Sequence, residues 1–191
     1  MRRVDPKNLG VDQDNYFIHL ARYMFCARQL KKKDSVLEIG CGTGYGSRLL
    51  SDYASVVYAV DKENTLSESW ELLKKENLHF VSDIPNEKFD AVVSFEVVEH
   101  IPVKDLSDYF NLIKTHLNEN GTAYISTPRA IPWDERSKNR QLEHEIEYTP
   151  TEFRTLLEQH FSRVFLFAQN DSIISFQNPQ MAWNLVAICI P

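Results

Sequence analysis

Apolar and polar positions follow two patterns along this chain, which together predict an α/β fold. Short apolar runs are typical of buried strands, whereas apolar residues recurring every three or four positions are typical of helices. The predicted strands are Val36–Ile39, Val56–Val60, Leu78–Val81, Phe89–Phe95, Thr122–Ser126, Arg163–Ala168 and Trp183–Ile190. The predicted helices cover residues 13–31, 45–53 and 65–76, and two more begin at Pro102 and Thr149. The buried stripe of the first helix is expected to begin at Phe17, and that of the helix from Pro102 to run from Val103 to Leu117. Because strands and helices alternate, we expect a mostly parallel sheet with helices on both faces.

The stretch from Val36 to Gly46 combines a strand, a glycine-rich turn and the start of a helix. Gly40, Gly42 and Gly44 follow the strand at alternate positions. Glycine permits a positive φ and leaves space for a ligand beside the backbone. The free N–H groups at the start of the helix then face that ligand. The spacing G-x-G-x-G differs from the dinucleotide fingerprint G-x-G-x-x-G, which would need glycine at Tyr45.

Two motifs carry a resemblance to a known family. Glu38 precedes the first glycine by two residues, so this segment reads E-x-G-C-G-x-G, and Phe89 to His100 reads F-D-x-V-x-S-F-E-V-x-E-H. These strings resemble the first and fourth motifs of class I S-adenosylmethionine-dependent methyltransferases, and the resemblance covers nearly the whole chain. It implies a Rossmann-like sheet of seven strands, in the order 3-2-1-4-5-7-6 with the last strand antiparallel. The alternative is a generic Rossmann-like fold with another ligand.

Two further strings resemble one subgroup of these enzymes, methyltransferase type 11/23-like and associated largely with bacterial surface-glycan biosynthesis. They are H-x-x-R-Y-x-F, from His19 to Phe25, and H-E-I-E-Y-T-P-T-E-F, from His144 to Phe153. The resemblance implies that the leading helix lies over the cofactor, with Arg22 and Tyr23 reaching its methionine end. The alternative is a helix that merely packs on the sheet.

The resemblance also places the rest of S-adenosylmethionine. Asp61 ends the second strand, where a carboxylate accepts hydrogen bonds from ribose hydroxyls; a capping or surface Asp is the alternative. Asp83 and Ile84 are expected to border the adenine, although Asp83 could equally form a turn. The expected cofactor-binding set is Tyr23, Glu38, Gly40, Cys41, Gly42, Gly44, Asp61, Lys62, Asp83, Ile84 and Phe95.

The chain organisation predicts one domain, residues 1–191, with no helix between the third and fourth strands. Those strands are not neighbours in the implied order, and the few residues between them, Ile84 to Lys88, make a taut connection. Residues 128–147 form a long segment with charges of both signs, which is typical of a lid or binding loop. Residues 169–182 are too polar and irregular to assign.

Candidate catalytic residues follow the fourth strand or lie in the lid. A sulfonium methyl is already activated, so a general base is needed only for a hydroxyl or a protonated amine acceptor. The candidates are His144, His100 and Glu96, with His144 first because an imidazole titrates near neutral pH. The alternative for His144 is that it orients the loop by hydrogen bonds.

The same region suggests a metal site. Glu96, Glu99 and His100 share one face if their turn is helical, and with His144 they form a two-carboxylate, two-imidazole set suited to a divalent ion. This pattern resembles small-RNA 3′-terminal 2′-O-methyltransferases, whose metal holds ribose hydroxyls, and ubiquinone-pathway O-methyltransferases. The alternative is that the two acids are a loop residue and a helix-start residue, with His100 packed beside them.

Composition limits the classes of partner that this chain is expected to bind and the compartment in which it is expected to occur. The net charge of −6 argues against broad binding to nucleic acid or anionic membranes. The three cysteines, Cys26, Cys41 and Cys189, have no metal-site spacing and no disulfide framework, which predicts a reducing cytoplasm. The sequence shows no signal peptide or apolar run long enough to span a membrane.

Three functions remain in view. The leading expectation is methyl transfer to O or N of a small-molecule or sugar acceptor. The alternatives are a metal-dependent RNA ribose 2′-O-methyltransferase and a non-catalytic S-adenosylmethionine-binding protein.

Overall fold

The computed structural model describes residues 13–62, 67–176 and 178–191. Its strands are β1 (Ser35–Ile39), β2 (Val56–Val60), β3 (Leu78–Val81), β4 (Phe89–Phe95), β5 (Leu117–Pro128), β6 (Arg163–Asn170), β7 (Ile173–Ser175) and β8 (Asn184–Ile190). They form one sheet in the order β3-β2-β1-β4-β5-β8-β6-β7. The pairs among β1 to β5 are parallel, and β8 runs antiparallel to both β5 and β6.

The implied strand order is confirmed, and the implied strand count was one too low. The seven predicted strands are neighbours as expected, with the last of them antiparallel. The additional strand is β7, which is three residues long and pairs with the outer end of β6. A strand this short has too few residues for an alternating pattern to reveal it.

Six helices are present in the described part of the chain: α1 (Gln13–Ala27), α2 (Tyr45–Leu50), α3 (Ser67–Glu71), α4 (Leu106–Thr115), α5 (Lys138–Glu143) and α6 (Pro150–Glu158). Helix α1 ends at Ala27, four residues before its predicted end at Lys31. There the chain turns towards β1 through a hydrogen bond from the Asp34 N–H to the Lys31 carbonyl, at 2.9 Å. The third is shorter than the predicted 65–76, part of which lies outside the described residues.

The helices cover both faces of the sheet, as predicted. Phe110 of α4 and Phe153 of α6 pack with Leu37 in one core cluster. Tyr23 of α1 and Leu50 of α2 pack in the other cluster, to which β1 contributes through Val36. Neighbouring residues of one strand point to opposite faces, so β1 contributes to both cores.

The apolar stripes of two predicted helices were partly wrong. The helix from Pro102 was expected to bury Val103, which is 66% exposed because it lies in a helical turn ahead of α4. Leu117 is buried as expected, but it begins β5. In α1 the apolar stripe was expected to begin at Phe17, which is 56% exposed; Arg22 is buried on this helix instead.

The connections differ in how well the sequence predicted them. No helix lies between β3 and β4, as expected. Residues 128–147, predicted as a lid or binding loop, contain a helical turn, Trp133–Glu135, and α5. In the unassigned stretch 169–182, the structure shows the end of β6, β7 and a turn at Pro179–Met181.

Among the described helices, none has the length and apolar character needed to cross a membrane.

Candidate cofactor and acceptor site

The glycine-rich turn joins β1 to α2 at the carboxyl ends of the parallel strands, where α/β sheets place their ligands. Gly40, Gly42 and Gly44 have φ values of 79°, 54° and 83°. A Cβ on Gly40 would lie 2.4 Å from Val97 Cγ2, so both conformation and packing require glycine there. A Cβ on Gly42 would meet nothing within 4 Å. The turn is therefore open on the side of Gly42.

Asp61 follows β2 and is hydrogen-bonded to the glycine-rich turn. Its Oδ2 accepts a hydrogen bond from the Gly42 N–H at 2.9 Å. The N–H groups of Gly40 and Cys41 donate to the Val60 carbonyl at 2.8 and 3.1 Å. The structure thus brings four of the predicted cofactor residues together. The bond between Asp61 and Gly42 was not predicted.

Glu38 lies beneath the turn in the protein interior. Its carboxylate accepts hydrogen bonds from the Tyr23 hydroxyl at 2.6 Å and from the Ser47 hydroxyl at 2.5 Å. Burial raises the pKa of Glu38 to about 7. Both oxygens are engaged by neighbouring side chains, so Glu38 ties α1 and α2 to β1 below the cofactor turn.

Arg22, on α1, is fully buried. Its Nη1 donates to Gln169 Oε1 at 2.9 Å and lies 3.9 Å from Glu96 Oε1. Its Nε and Nη2 have no hydrogen-bond partner among the described residues. A buried guanidinium with unpaired donors is costly unless an anion completes it.

The remaining predicted cofactor residues, including Asp83 and Ile84 that were expected to border the adenine, lie at or just after the carboxyl ends of β2, β3 and β4. Asp83 is exposed and accepts from the Ser82 hydroxyl at 2.8 Å, and Ile84 packs half-buried against the core. Lys62 is exposed. Phe95 is buried and stacks edge-to-face on Tyr23, with ring centroids 5.1 Å apart.

An aromatic pair beside the turn was missed by the sequence analysis. The Trp70 Nε1–H donates to the Gly42 carbonyl at 2.9 Å. Its ring stacks on Phe80 with centroids 5.0 Å apart and planes 4° from parallel. The signal that could have found this pair is weak, because an aromatic residue in a helix and another in a strand also suit an ordinary core.

Glu96, directly after β4, has a strained backbone. Its φ is 56°, in a region that residues with a side chain rarely occupy. The Ser126 hydroxyl donates to Glu96 Oε1 at 2.9 Å, and the Glu96 N–H donates to the Ser126 carbonyl at 3.1 Å. Such strain costs about 1–3 kcal/mol and clusters at functional sites.

Glu99 is fully buried in the turn that follows. The Thr127 hydroxyl donates to its Oε2 at 3.2 Å, while Oε1 has no partner in the described part of the chain. Burial, and then the nearby charge of Glu96, raises the pKa of Glu99 well above its usual range.

Two histidines face this carboxylate. His100 Nδ1–H donates to the Glu143 carbonyl at 2.7 Å, and burial, followed by the neighbouring His144, lowers the pKa of His100 to about 4. His100 is therefore neutral at pH 7, with its lone pair on Nε2. His144 Nδ1 lies 2.8 Å from Glu147 Oε1, and its Nε2 has no partner among the described residues.

Three of the four predicted metal candidates converge. Ligand atoms of Glu99, His100 and His144 all lie within 4.8 Å of one another, and Glu96 is not part of this group. Residues 128–147 are bound to the same turn, since the N–H groups of Glu145 and Ile146 donate to the Glu99 carbonyl at 2.8 and 3.2 Å.

The comparisons with known proteins match this geometry. The family described as "Methyltransferase domain" matches residues 14–165. This chain belongs to the class I S-adenosylmethionine-dependent methyltransferases. Members of this family transfer the methyl group of S-adenosylmethionine to an acceptor.

Two curated relatives and one solved structure illustrate the similarity. A probable S-adenosylmethionine-dependent methyltransferase from Mycolicibacterium smegmatis is 29% identical over 64% of this chain and 49% of its own length. A ubiquinone biosynthesis O-methyltransferase from Bradyrhizobium diazoefficiens is 30% identical over 66% of this chain and 52% of its own. The chain thus spans about half the length of these relatives. A DhpI–SAH complex shares the fold, with a TM-score of 0.67, 18% identity and 98% coverage of both chains.

Proposed function

We propose that this methyltransferase methylates a hydroxyl oxygen of a small-molecule or sugar acceptor, which a divalent cation held by Glu99, His100 and His144 positions. The observation that carries the proposal is the convergence of these three side chains within 4.8 Å. Methyl transfer mainly requires the nucleophile to be held in line, about 3 Å from the methyl carbon. A hydroxyl nucleophile must also lose its proton, which is the step that the cluster supports.

The three residues fit a cation. Glu99 Oε1 and His144 Nε2 are buried atoms without a partner in the described residues. One carboxylate and two imidazoles suit borderline divalent ions such as zinc, manganese, iron or cobalt. Burial, and then the charge of Glu96, raises the pKa of Glu99, and a bound cation would oppose both effects. When bound, such a cation lowers the pKa of an oxygen coordinated to it.

The competing role for His144 is that of a general base. In that role its unpartnered Nε2 accepts the hydroxyl proton directly. The two roles exclude each other, because one lone pair cannot bind a cation and a proton together. The His144→Ala variant distinguishes the two roles. If His144 is a ligand, the variant should bind the cation more weakly; if His144 is a base, the variant should bind the cation normally and turn over more slowly.

The cofactor residues support a consistent placement of S-adenosylmethionine. Its ribose would bond to Asp61, beside the open side of the turn at Gly42. Its methionine carboxylate would complete the unpaired Nε and Nη2 of Arg22. Because Arg22 also lies 3.9 Å from Glu96, the methionine end would point towards the turn that carries Glu99.

The choice of oxygen and of a small acceptor rests on two supports. The Bradyrhizobium relative is named an O-methyltransferase, and the subgroup resemblance favours a sugar, in some cases linked to a nucleotide. Arg136 and Arg140, two of the basic residues in the 128–147 segment, both pair with Glu147. Their charge is therefore balanced within the protein and does not favour a polyanionic acceptor.

The test combines cation binding with turnover. Chelator-treated protein is titrated calorimetrically with Mn²⁺, Zn²⁺ and Mg²⁺, and S-adenosylhomocysteine release is then measured with nucleotide-sugars and small phenols as acceptors. We expect one cation per chain, and we expect its removal to lower turnover at least about 10²-fold. His100→Ala should weaken cation binding at least about 10-fold.

The matched control is His79→Ala, which removes an exposed histidine on β3. It should bind the cation as the unmodified protein does. A wild-type protein that binds no cation more tightly than the His100→Ala variant, or that turns over equally well after chelation, would contradict the proposed cation role.

An RNA ribose 2′-O-methyltransferase is the second candidate, favoured by the sequence pattern from Glu96 to His100 together with His144. The same cation set would suit the two hydroxyls of a terminal ribose. The net charge of −6 weighs against it, because RNA binding depends on phosphate contacts by Lys and Arg. A short 3′-hydroxyl RNA, assayed beside the sugars at two salt concentrations, discriminates: rapid, salt-sensitive methylation would favour RNA.

A further inference from the structure

Glu147 is a buried carboxylate that contacts His144 at Nδ1. Its side chain is fully buried. Oε1 accepts hydrogen bonds from His144 Nδ1, at 2.8 Å, and from Arg140 Nε. Oε2 accepts from Arg140 Nη2 at 3.0 Å and lies 3.2 Å from Arg136 Nε. Every polar atom of this side chain is therefore occupied by a donor.

This arrangement determines which nitrogen of His144 carries the hydrogen. An ionised carboxylate can only accept, so the ring must donate through Nδ1. In the neutral ring the lone pair then lies on Nε2, the atom without a partner among the described residues. One ring nitrogen of His144 lies within 4.8 Å of ligand atoms of Glu99 and His100, and because Nδ1 is bonded to Glu147, Nε2 is the nitrogen available to that group. Binding of a histidine's second nitrogen by a carboxylate is a recurrent way to orient a ligand or base.

The same carboxylate joins distant parts of the 128–147 segment. Arg140, bound to Glu147, also donates from Nη2 to the Arg129 carbonyl at 2.7 Å. Arg136, the second cation, donates from Nε to the Ile131 carbonyl at 3.0 Å. The beginning of the segment is thus linked to its end through one buried anion.

We propose that Glu147 is the positioning residue for His144: it fixes the Nδ1–H tautomer, while Arg136 and Arg140 together hold Glu147 within the folded 128–147 segment. This inference deepens the proposed function, because it concerns the same histidine. It does not depend on whether His144 serves as a ligand or as a base, since both roles need the lone pair on Nε2.

The decisive experiment is nuclear magnetic resonance of the histidine rings in the chelator-treated protein at alkaline pH. Long-range proton–nitrogen correlations distinguish a ring with hydrogen on Nδ1 from one with hydrogen on Nε2. The signals of His144 are assigned by their loss in His144→Ala. We expect the Nδ1–H form in the unmodified protein. The Nε2–H form would overturn the inference, whatever the protein does with cations.

Three variants separate positioning from general stabilisation. Glu147→Gln should give a mixture with the Nε2–H form, because an amide can also donate to Nδ1, and should weaken binding of Mn²⁺ about 10–100-fold. Arg136→Gln removes an ion pair of the same carboxylate and should leave the tautomer unchanged. Glu152→Gln makes the same chemical change in the cap of α6, away from His144, and should also leave it unchanged.

The outcomes are distinguishable from those that test the proposed function. An unchanged tautomer in a folded Glu147→Gln protein would overturn the inference, as would an equal loss of the Nδ1–H form in Arg136→Gln. If the unmodified protein binds no Mn²⁺, the cation role fails on its own, and the tautomer still decides the role of Glu147. If Glu147→Gln does not fold, the tautomer of the wild type and the Arg136→Gln comparison decide it.

Discussion

The ring of Tyr23 occupies the space that a side chain on Gly46 would need. A Cβ on Gly46 would lie 2.0 Å from Tyr23 Cζ, so α1 can lie against α2 only because this position is glycine. The hydroxyl of the same ring donates to Glu38 at 2.6 Å, and its face meets Phe95. Tyr23 thus docks the helix that also carries Arg22 towards the cofactor turn.

Gly46→Ala tests whether α1 packs on α2 in this way, because the packing decides whether the substitution raises or lowers the free energy of unfolding. In a helix without neighbours, alanine is more stable than glycine by about 1 kcal/mol. Here the methyl group would displace Tyr23, so we expect the free energy of unfolding to fall by about 1–3 kcal/mol. Urea denaturation measures the difference. A variant as stable as the wild type, or more stable, would show that α1 does not rest on α2 in this way.

Glu38 predicts a specific pH dependence of stability. Its pKa is raised by burial to about 7, above its value in an unfolded chain, so the folded state binds the extra proton between these values. The free energy of unfolding therefore falls as pH rises from about 4.5 to 7, by about 3 kcal/mol for this group. The Glu38→Gln side chain does not take up this proton. The free energy of unfolding of the variant, relative to that of the wild type, should therefore rise by about 3 kcal/mol as pH increases from about 4.5 to 7.

Urea denaturation of both proteins at pH 4.5, 6 and 8 measures this difference without ligand. Subtracting one profile from the other removes the contributions of Glu99 and other titrating groups. A difference that stays constant with pH would mean that Glu38 titrates normally and is not held in the interior beneath the turn.

Arg22 should distinguish ligands that carry a carboxylate from those that lack it. Because its Nε and Nη2 have no partner among the described residues, we expect a carboxylate to bind there. Arg22→Gln should weaken S-adenosylhomocysteine at least about 10-fold, since a charge-assisted bond contributes about 1.5–3 kcal/mol. Its affinity for 5′-methylthioadenosine, which has the same nucleoside but no carboxylate, should change little. Calorimetry with both ligands decides, and an equal loss for both would contradict the assignment.

The architecture was predictable because its signals are local. The strands beside the turn are apolar runs, and the glycines at 40, 42 and 44 adopt the positive φ values expected of a turn that approaches a ligand. The taut chain between β3 and β4 followed from counting residues. These features depend on neighbouring residues alone, which a single sequence displays.

The contacts inside the site were less predictable because they join distant or buried groups. Arg22 bonds to Gln169, which is 147 positions away and lies in a stretch that had no assignment. Glu147 is only three residues from His144, yet a charged residue in a polar segment gives no sign that it will be buried. Val103 matched a helical repeat, but the chain begins with a helical turn of different geometry there.

The central claim is that S-adenosylmethionine lies on the turn from Gly40 to Gly44 with its ribose on Asp61, and a crystal structure of the S-adenosylhomocysteine complex tests it most directly. We predict both ribose hydroxyls within hydrogen-bond distance of the Asp61 carboxylate and the homocysteine carboxylate on Arg22. A ribose bound away from Asp61, or a ligand seated outside the turn, would contradict the account.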